Sequence, residues 1–328
     1  MTGWKRALTW LGLRLLILIV IGATVQGVMT ATARRSHPRP GRLVDAGGHQ
    51  LHLHCTGDGQ PTVLLEAAAM SMSAEWGWVQ SDLARTTRTC SYDRSGLGYS
   101  EAGDGPYDPA RVPKELRTAL AKVGIAPPYV VVGHGMGGAF AQLFTAAYPA
   151  DVVGTVLIDA PVPGALAEMR PAARDRFRAF VRLMQAMPWL ARIGVLRIRN
   201  PLASLASGLP IDQTDEAGIL EMFLTTPDHL SRGAAELKAF DRTLDALRPV
   251  TSLGAHPIVV ITPGKPAEGE TAEDVAGAGA RQARLLALST RGDRQVLADA
   301  TSADIVTDRG HAARVAGVIR GLIRGERP

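Results

Sequence analysis

Residues of the types that carry out covalent chemistry fall in a few short stretches of the 328-residue chain. His134 stands among glycines in Gly133-His134-Gly135-Met136-Gly137, and Asp159 ends the apolar run Val152 to Asp159. Gly310-His311 lies near the C-terminus, Glu268 and Glu270 share one loop, and Ser71 and Ser73 close a run that begins at Glu66. A serine, a histidine that takes its proton, an acid that orients the histidine and two amides for the oxyanion would together make an acyl-transfer site. No metal cluster and no nucleotide-binding loop is present, so no metal and no cofactor is expected. The net charge is +5 with only 5% aromatic residues. That combination gives no nucleic-acid motif, and the basic excess points to a membrane surface or to nothing specific.

The elements that would position these residues alternate. Val130 to Val132 form a β-branched strand running into the glycine turn, and Ala139 to Ala147 form a helix lying close on the sheet. Before it come a hairpin, Leu43 to Asp45 and Gln50 to Cys55 about Gly47-Gly48, then a strand at Thr62 to Leu65 and a helix over Ala74 to Arg85. The strand carrying Cys90 precedes a helix over Pro109 to Val123. After Asp159 the strand signals stop until Pro257 to Thr262. The intervening part reads as helices, including Arg170 to Arg199, Asp215 to Leu224 and Asp228 to Leu247. The arginines of the first of these read as a solvated face over a hydrophobic seam, or alternatively as a contact for anionic lipid. A helical stretch over Thr271 to Leu288, a strand over Gln295 to Ala298 and a helix over Ala312 to Ile323 follow. Strands and helices at this spacing predict a mostly parallel, doubly wound sheet of about eight strands with a helical cap.

Lys5, Arg6 and Arg14 precede an uncharged stretch from Leu15 to Ala33, long enough for a membrane-spanning helix, and Ala31-Thr32-Ala33 also fits a cleavage site. The division expected is a signal peptide or anchor over 1–35, a linker over 36–42, a core over 43–160 and 251–328, and a cap over 161–250. The protein is expected at the cell membrane with its folded part outside, or secreted.

The turn Gly133 to Gly137 resembles the G-x-S-x-G nucleophile elbow of the α/β-hydrolase superfamily, with Gly135 where the serine belongs. Asp93-Arg94-Ser95-Gly96-Leu97-Gly98-Tyr99-Ser100 is similar to the superfamily's loop after the fourth strand. Gly41 to Gly48, Leu65 to Ala68 and Tyr129 to Gly138 resemble a subgroup of membrane-tethered or exported bacterial hydrolases. The resemblance implies an α/β-hydrolase fold from about Gly41 to Arg324. It places Cys55 and Cys90 on neighbouring strands, where a disulfide or two buried free thiols are both compatible. In one alignment Ala303 occupies the place of the catalytic histidine. In the other, Ala303 to Thr307 is the last strand and His311 is the base. Asp159 matches the acid of some lipases. Ala69 and Met136 match the oxyanion amides, with His134 and Ser71 beside them.

Three departures in separate segments, at Gly135, at Ala303 and in Glu66 to Ser71, point to a fold that has lost serine-hydrolase chemistry and keeps a pocket for an apolar ligand. Two alternatives stand beside it. One is a hydrolase with His311 as base, Asp159 or Glu268 as acid, and attack by water, Ser71 or Ser73. The other is a membrane-surface or partner-binding scaffold.

Overall fold

The computed structural model describes residues 3–198 and 214–326. Its centre is an eight-stranded sheet of β1 (Arg42–Asp45), β2 (Gln50–Thr56), β3 (Thr62–Glu66), β4 (Thr89–Tyr92), β5 (Tyr129–His134), β6 (Val152–Ile158), β7 (Ile258–Pro263) and β8 (Gly292–Leu297). The strand order is β1-β2-β4-β3-β5-β6-β7-β8. Only β2 runs antiparallel to its neighbours; the others pair in parallel. Every residue of β3, β5 and β7 is buried, as strands covered on both faces require.

The apolar N-terminal segment is one helix, α1 (Gly3–Ser36), longer at both ends than the uncharged stretch. Helices α2 (Gly77–Leu83), α3 (Val112–Lys122) and α4 (Met136–Ala147) alternate with the strands. On one face Leu116, Leu120, Phe140 and Phe144 pack against Tyr129 and Val131. On the other, Trp76, Val79 and Leu83 meet Val130, Val132, Val315 and Ile319. The stretch expected as a helix over 74–85 opens with a 3₁₀ turn at Ser73–Trp76.

Between β6 and β7 lies the helical cap: α5 (Ala165–Glu168), α6 (Pro171–Arg192), α7 (Val195–Ile198), α8 (Thr214–Phe223), α9 (Pro227–Lys238) and α10 (Phe240–Ala246). The single helix expected over 228–247 is broken at Ala239, which caps α9 and opens α10. Then follow α11 (Ala272–Ala283), a 3₁₀ turn at Arg284–Leu288, β8 and α12 (Arg309–Ile323). The last strand ends before Ala298, and residues 303–307 form turns, so the alignment that made them a strand is corrected.

Cys55 and Cys90 face each other across the β2–β4 register and form a disulfide. Among the described residues α1 is the one helix long and apolar enough to cross a membrane.

Candidate functional site at the vacated elbow

At the end of β5 the chain turns through Gly135, with φ 53° and ψ −123°, straight into α4. The Gly135 amide donates to the Ile158 carbonyl at 2.9 Å, which ties the turn to the end of the neighbouring strand. The flanking glycines are required by packing: a Cβ on Gly137 would collide with the Glu66 carbonyl. At Gly135 itself the space is open, the nearest neighbour of an added Cβ being the Ala68 methyl at 3.4 Å. The serine side chain is therefore missing from a place that still has room for it.

A cavity of about 630 Å³ opens over this turn. Gly135, Met136, Asp159 and Ser302 line its floor; Val162, Phe177, Phe180 and Phe240 give an apolar wall. Asp159 holds φ at 47°, in the left-handed region, and its carboxylate accepts from the Gln282 amide at 2.5 Å and from the Ser302 hydroxyl. A serine hydroxyl on a carboxylate has its proton held, but no imidazole is there to carry that proton to a leaving group. The rim is bridged by ion pairs from two half-exposed arginines: Arg170 with the exposed Glu273 at 3.0 Å and Arg176 with the largely covered Asp274 at 2.7 Å. Beside it Arg284 pairs with Glu168 at 2.8 Å.

All eight histidines of the chain lie among the described residues, and none lines this cavity. His134 turns sideways from the elbow, with Nε2 donating to the Ser302 carbonyl at 3.0 Å and Nδ1 3.4 Å from Glu75. Burial alone would lower its pKa, but the hydrogen bond and charge of Glu75 raise it overall. Both ring nitrogens thus face acceptors, an arrangement suited to the imidazolium and not to a general base. His311, at the start of α12, bonds Asp304 at 3.0 Å and stands near Asp299 and Asp308. The structure does not bring it together with Asp159, so the His311–Asp159 pairing is corrected. Ala303 is exposed, and its neighbour Ser302 is the residue on the cavity.

The loop Glu66 to Ser71 is fastened from below and above. Ala68 N donates to Glu75 at 2.9 Å, Met70 N to Glu236 at 3.1 Å and Ser71 N to the Ala68 carbonyl at 3.1 Å. Ala69 packs among apolar residues of core and cap. Of the expected oxyanion residues Met136 alone lines the cavity; Ala69 and Ser71 do not, nor does Ser73, whereas Glu268 stands at the rim.

The fastening joins the Asp93 to Ser100 loop to residues of α9 that sequence patterns did not single out. Arg94 donates to the carbonyls of Ala67 and Ala68 at 2.7 and 2.8 Å and to Glu236 of α9 at 2.7 and 3.0 Å. Glu66 lies 3.8 Å from the same guanidinium, yet burial pushes its carboxyl up to about 7. His229 of α9 accepts from Gly98 N and donates to the Met70 carbonyl, both at 3.0 Å. The Asp93-Arg94 pair announced this loop, but its partners on α9 carry no local signal.

Comparison with known proteins gives a consistent result. An uncharacterised protein of Schizosaccharomyces pombe is 29% identical over 191 residues, covering 48% of this chain and 34% of the relative. An uncharacterised vacuolar membrane protein of Saccharomyces cerevisiae is 33% identical over 128 residues, covering 34% of this chain and 20% of the relative. The chain thus spans about a third or less of the length of these relatives. Among solved structures, a thermophilic esterase from Thermogutta terrifontis superposes with a TM-score of 0.62 at 19% identity, over 87% of this chain and 98% of the esterase. The profile of the alpha/beta hydrolase family matches residues 50–317. With the elbow, the strand order and that match in agreement, the chain belongs to the alpha/beta hydrolase family.

Proposed function

We propose that the protein is a membrane-anchored, non-hydrolytic member of this family whose cavity holds an apolar molecule carrying a hydrogen-bond donor. The observation that carries the reading is the pairing of Gly135 at the elbow with a cavity that none of the eight histidines lines. The aromatic wall suits an apolar body, and the Asp159 carboxylate at the floor suits a donor such as a hydroxyl. The apolar length of α1 supports an anchor, and the Cys55–Cys90 disulfide supports a folded part on the oxidising side of the membrane.

Three measurements test this. A fluorophosphonate probe is expected to leave the purified protein unlabelled, and activated acyl esters to give no burst; stoichiometric labelling would overturn the reading. A pyrene-labelled primary alcohol is expected to bind saturably and to lose affinity at least tenfold on Val162→Trp, which fills the wall. Unchanged binding in that variant would remove the cavity from the proposal.

A further inference from the structure

The uncharged stretch that a bilayer would take up and the stretch that the cap grips overlap. From Gly22 onward α1 is not free. A Cβ on Gly22 would collide with the Ile193 carbonyl, and one on Gly194 would come within 2.7 Å of the Gly22 carbonyl oxygen. One turn further, the side chain of Gln26 is buried; its amide donates to the Thr225 carbonyl at 2.8 Å and its oxygen accepts from Arg197 at 3.2 Å. Thr30 takes a second bond from Arg197, and Ala33 packs beside Met72 and Phe223. A glutamine in a helix sheathed by lipid would need partners that hydrocarbon lacks, and here the protein supplies them.

Among the described residues, the part before Gly22 projects clear of the protein. From Trp4 to Ile21 it measures about 27 Å at roughly 1.5 Å per residue, close to the roughly 30 Å of a bilayer's hydrocarbon core. Its large apolar side chains are exposed. Lys5, Arg6 and Arg14 all lie within it, which leaves only Leu15 to Ile21 both uncharged and clear of the cap; with the exposed Val25, Val28 and Met29 beyond, the uncharged centre lies toward the cap rather than away from it. The cap residues beside Gly22 are then at the level of the membrane surface. Trp189 is 70% exposed there, stacked on Arg192 at 5.2 Å, and Val195 is exposed. Arg178 and Arg182 precede Trp189 at helical spacing on the same side of α6; both are exposed, and among the described residues neither meets a carboxylate. A tryptophan flanked by arginines is the composition that an interfacial layer of anionic lipid accommodates.

We infer that the cap edge formed by Trp189, the Gly194 turn and Val195 is seated in the interfacial layer of an anionic bilayer, alongside the helix that anchors the chain. The seat rests on the anchored reading above, and the experiment separates the two.

Full-length protein carrying single cysteines at Trp189→Cys, Val195→Cys or, as a water-facing control on α10, Asp245→Cys is labelled with an environment-sensitive nitrobenzoxadiazole dye; the native cysteines are bonded to each other. In phosphatidylglycerol vesicles the dye at 189 and 195 is expected to shift to the blue and to be quenched by lipids with a nitroxide near the headgroup, whereas the dye at 245 stays water-like. Carbonate-resistant protein with all three positions equally water-like would overturn the seat and leave the anchor standing. Release by carbonate would overturn the anchor and the seat together. Replacing phosphatidylglycerol by phosphatidylcholine is expected to weaken quenching at 189, and quenching indifferent to lipid charge would overturn the arginines' part.

Discussion

Gly135 adopts a backbone conformation that glycine enters freely and other residues hold only under strain. A serine placed there has room for its side chain but costs about 1–3 kcal/mol in backbone strain. Gly135→Ser is therefore expected to lower the unfolding free energy by that amount in a denaturant titration, and to gain no ester turnover, because no imidazole faces it. His229 permits a second prediction at this scale. Its Nδ1 accepts and its Nε2 donates, so the folded protein holds it neutral, and burial lowers its pKa to about 4. The unfolded chain binds a proton near pH 6.5, so stability from this residue is complete above that pH and is lost as pH falls toward 4. The loss is on the order of 3 kcal/mol. His229→Gln is expected to flatten this part of the stability profile, as read from unfolding midpoints between pH 4 and 7.

Among elements, the firmest joint is that between α9 and the loops after β3 and β4. Arg94 and Glu236 are both buried, and truncating one partner leaves the other charge uncompensated, at a cost of about 3–5 kcal/mol. Glu236→Ala is expected to lower the thermal midpoint and expose the Glu66 to Ser71 loop to amide exchange; an unchanged exchange pattern there would count against the lock. The Cys55–Cys90 bond joins adjacent strands, and its removal is expected to cost about 2–4 kcal/mol in the same titration. These joints show what the sequence could reveal. The β5–α4 unit was legible because a valine run and a glycine turn act locally. Arg94 and Glu236 stand 142 residues apart, and no periodicity links them. Ser302 was missed in favour of Ala303 because a loop has no repeat to fix which residue faces inward. The split at Ala239 was invisible for the opposite reason, since α9 and α10 share one continuous helical pattern.

Over the whole molecule, the mostly parallel sheet and the cap were readable from the alternation of elements, and the emptied elbow from a single position. The presence of α1 was readable too, but its full length and its partition were not. Nothing along the chain marks Gly22 as the point where the helix meets the cap, because that contact is set by Ile193 and Gly194 on a distant turn. The cap's attachments are also unequal. On the α9 side they are a buried ion pair and a buried histidine; on the side of α5, α6 and α11 they are pairs made by half-exposed arginines, each worth about 0–1 kcal/mol and weakened by salt. The cap is in effect hinged at Glu236 and latched at Arg170, Arg176 and Arg284, with the cavity behind the latch. Release of a bound pyrene alcohol, followed by stopped-flow fluorescence, is accordingly expected to quicken as salt rises from low ionic strength, and Arg176→Gln to remove part of that dependence. A door of this kind would be worked by ions and neighbouring headgroups, with no need for a chemical step.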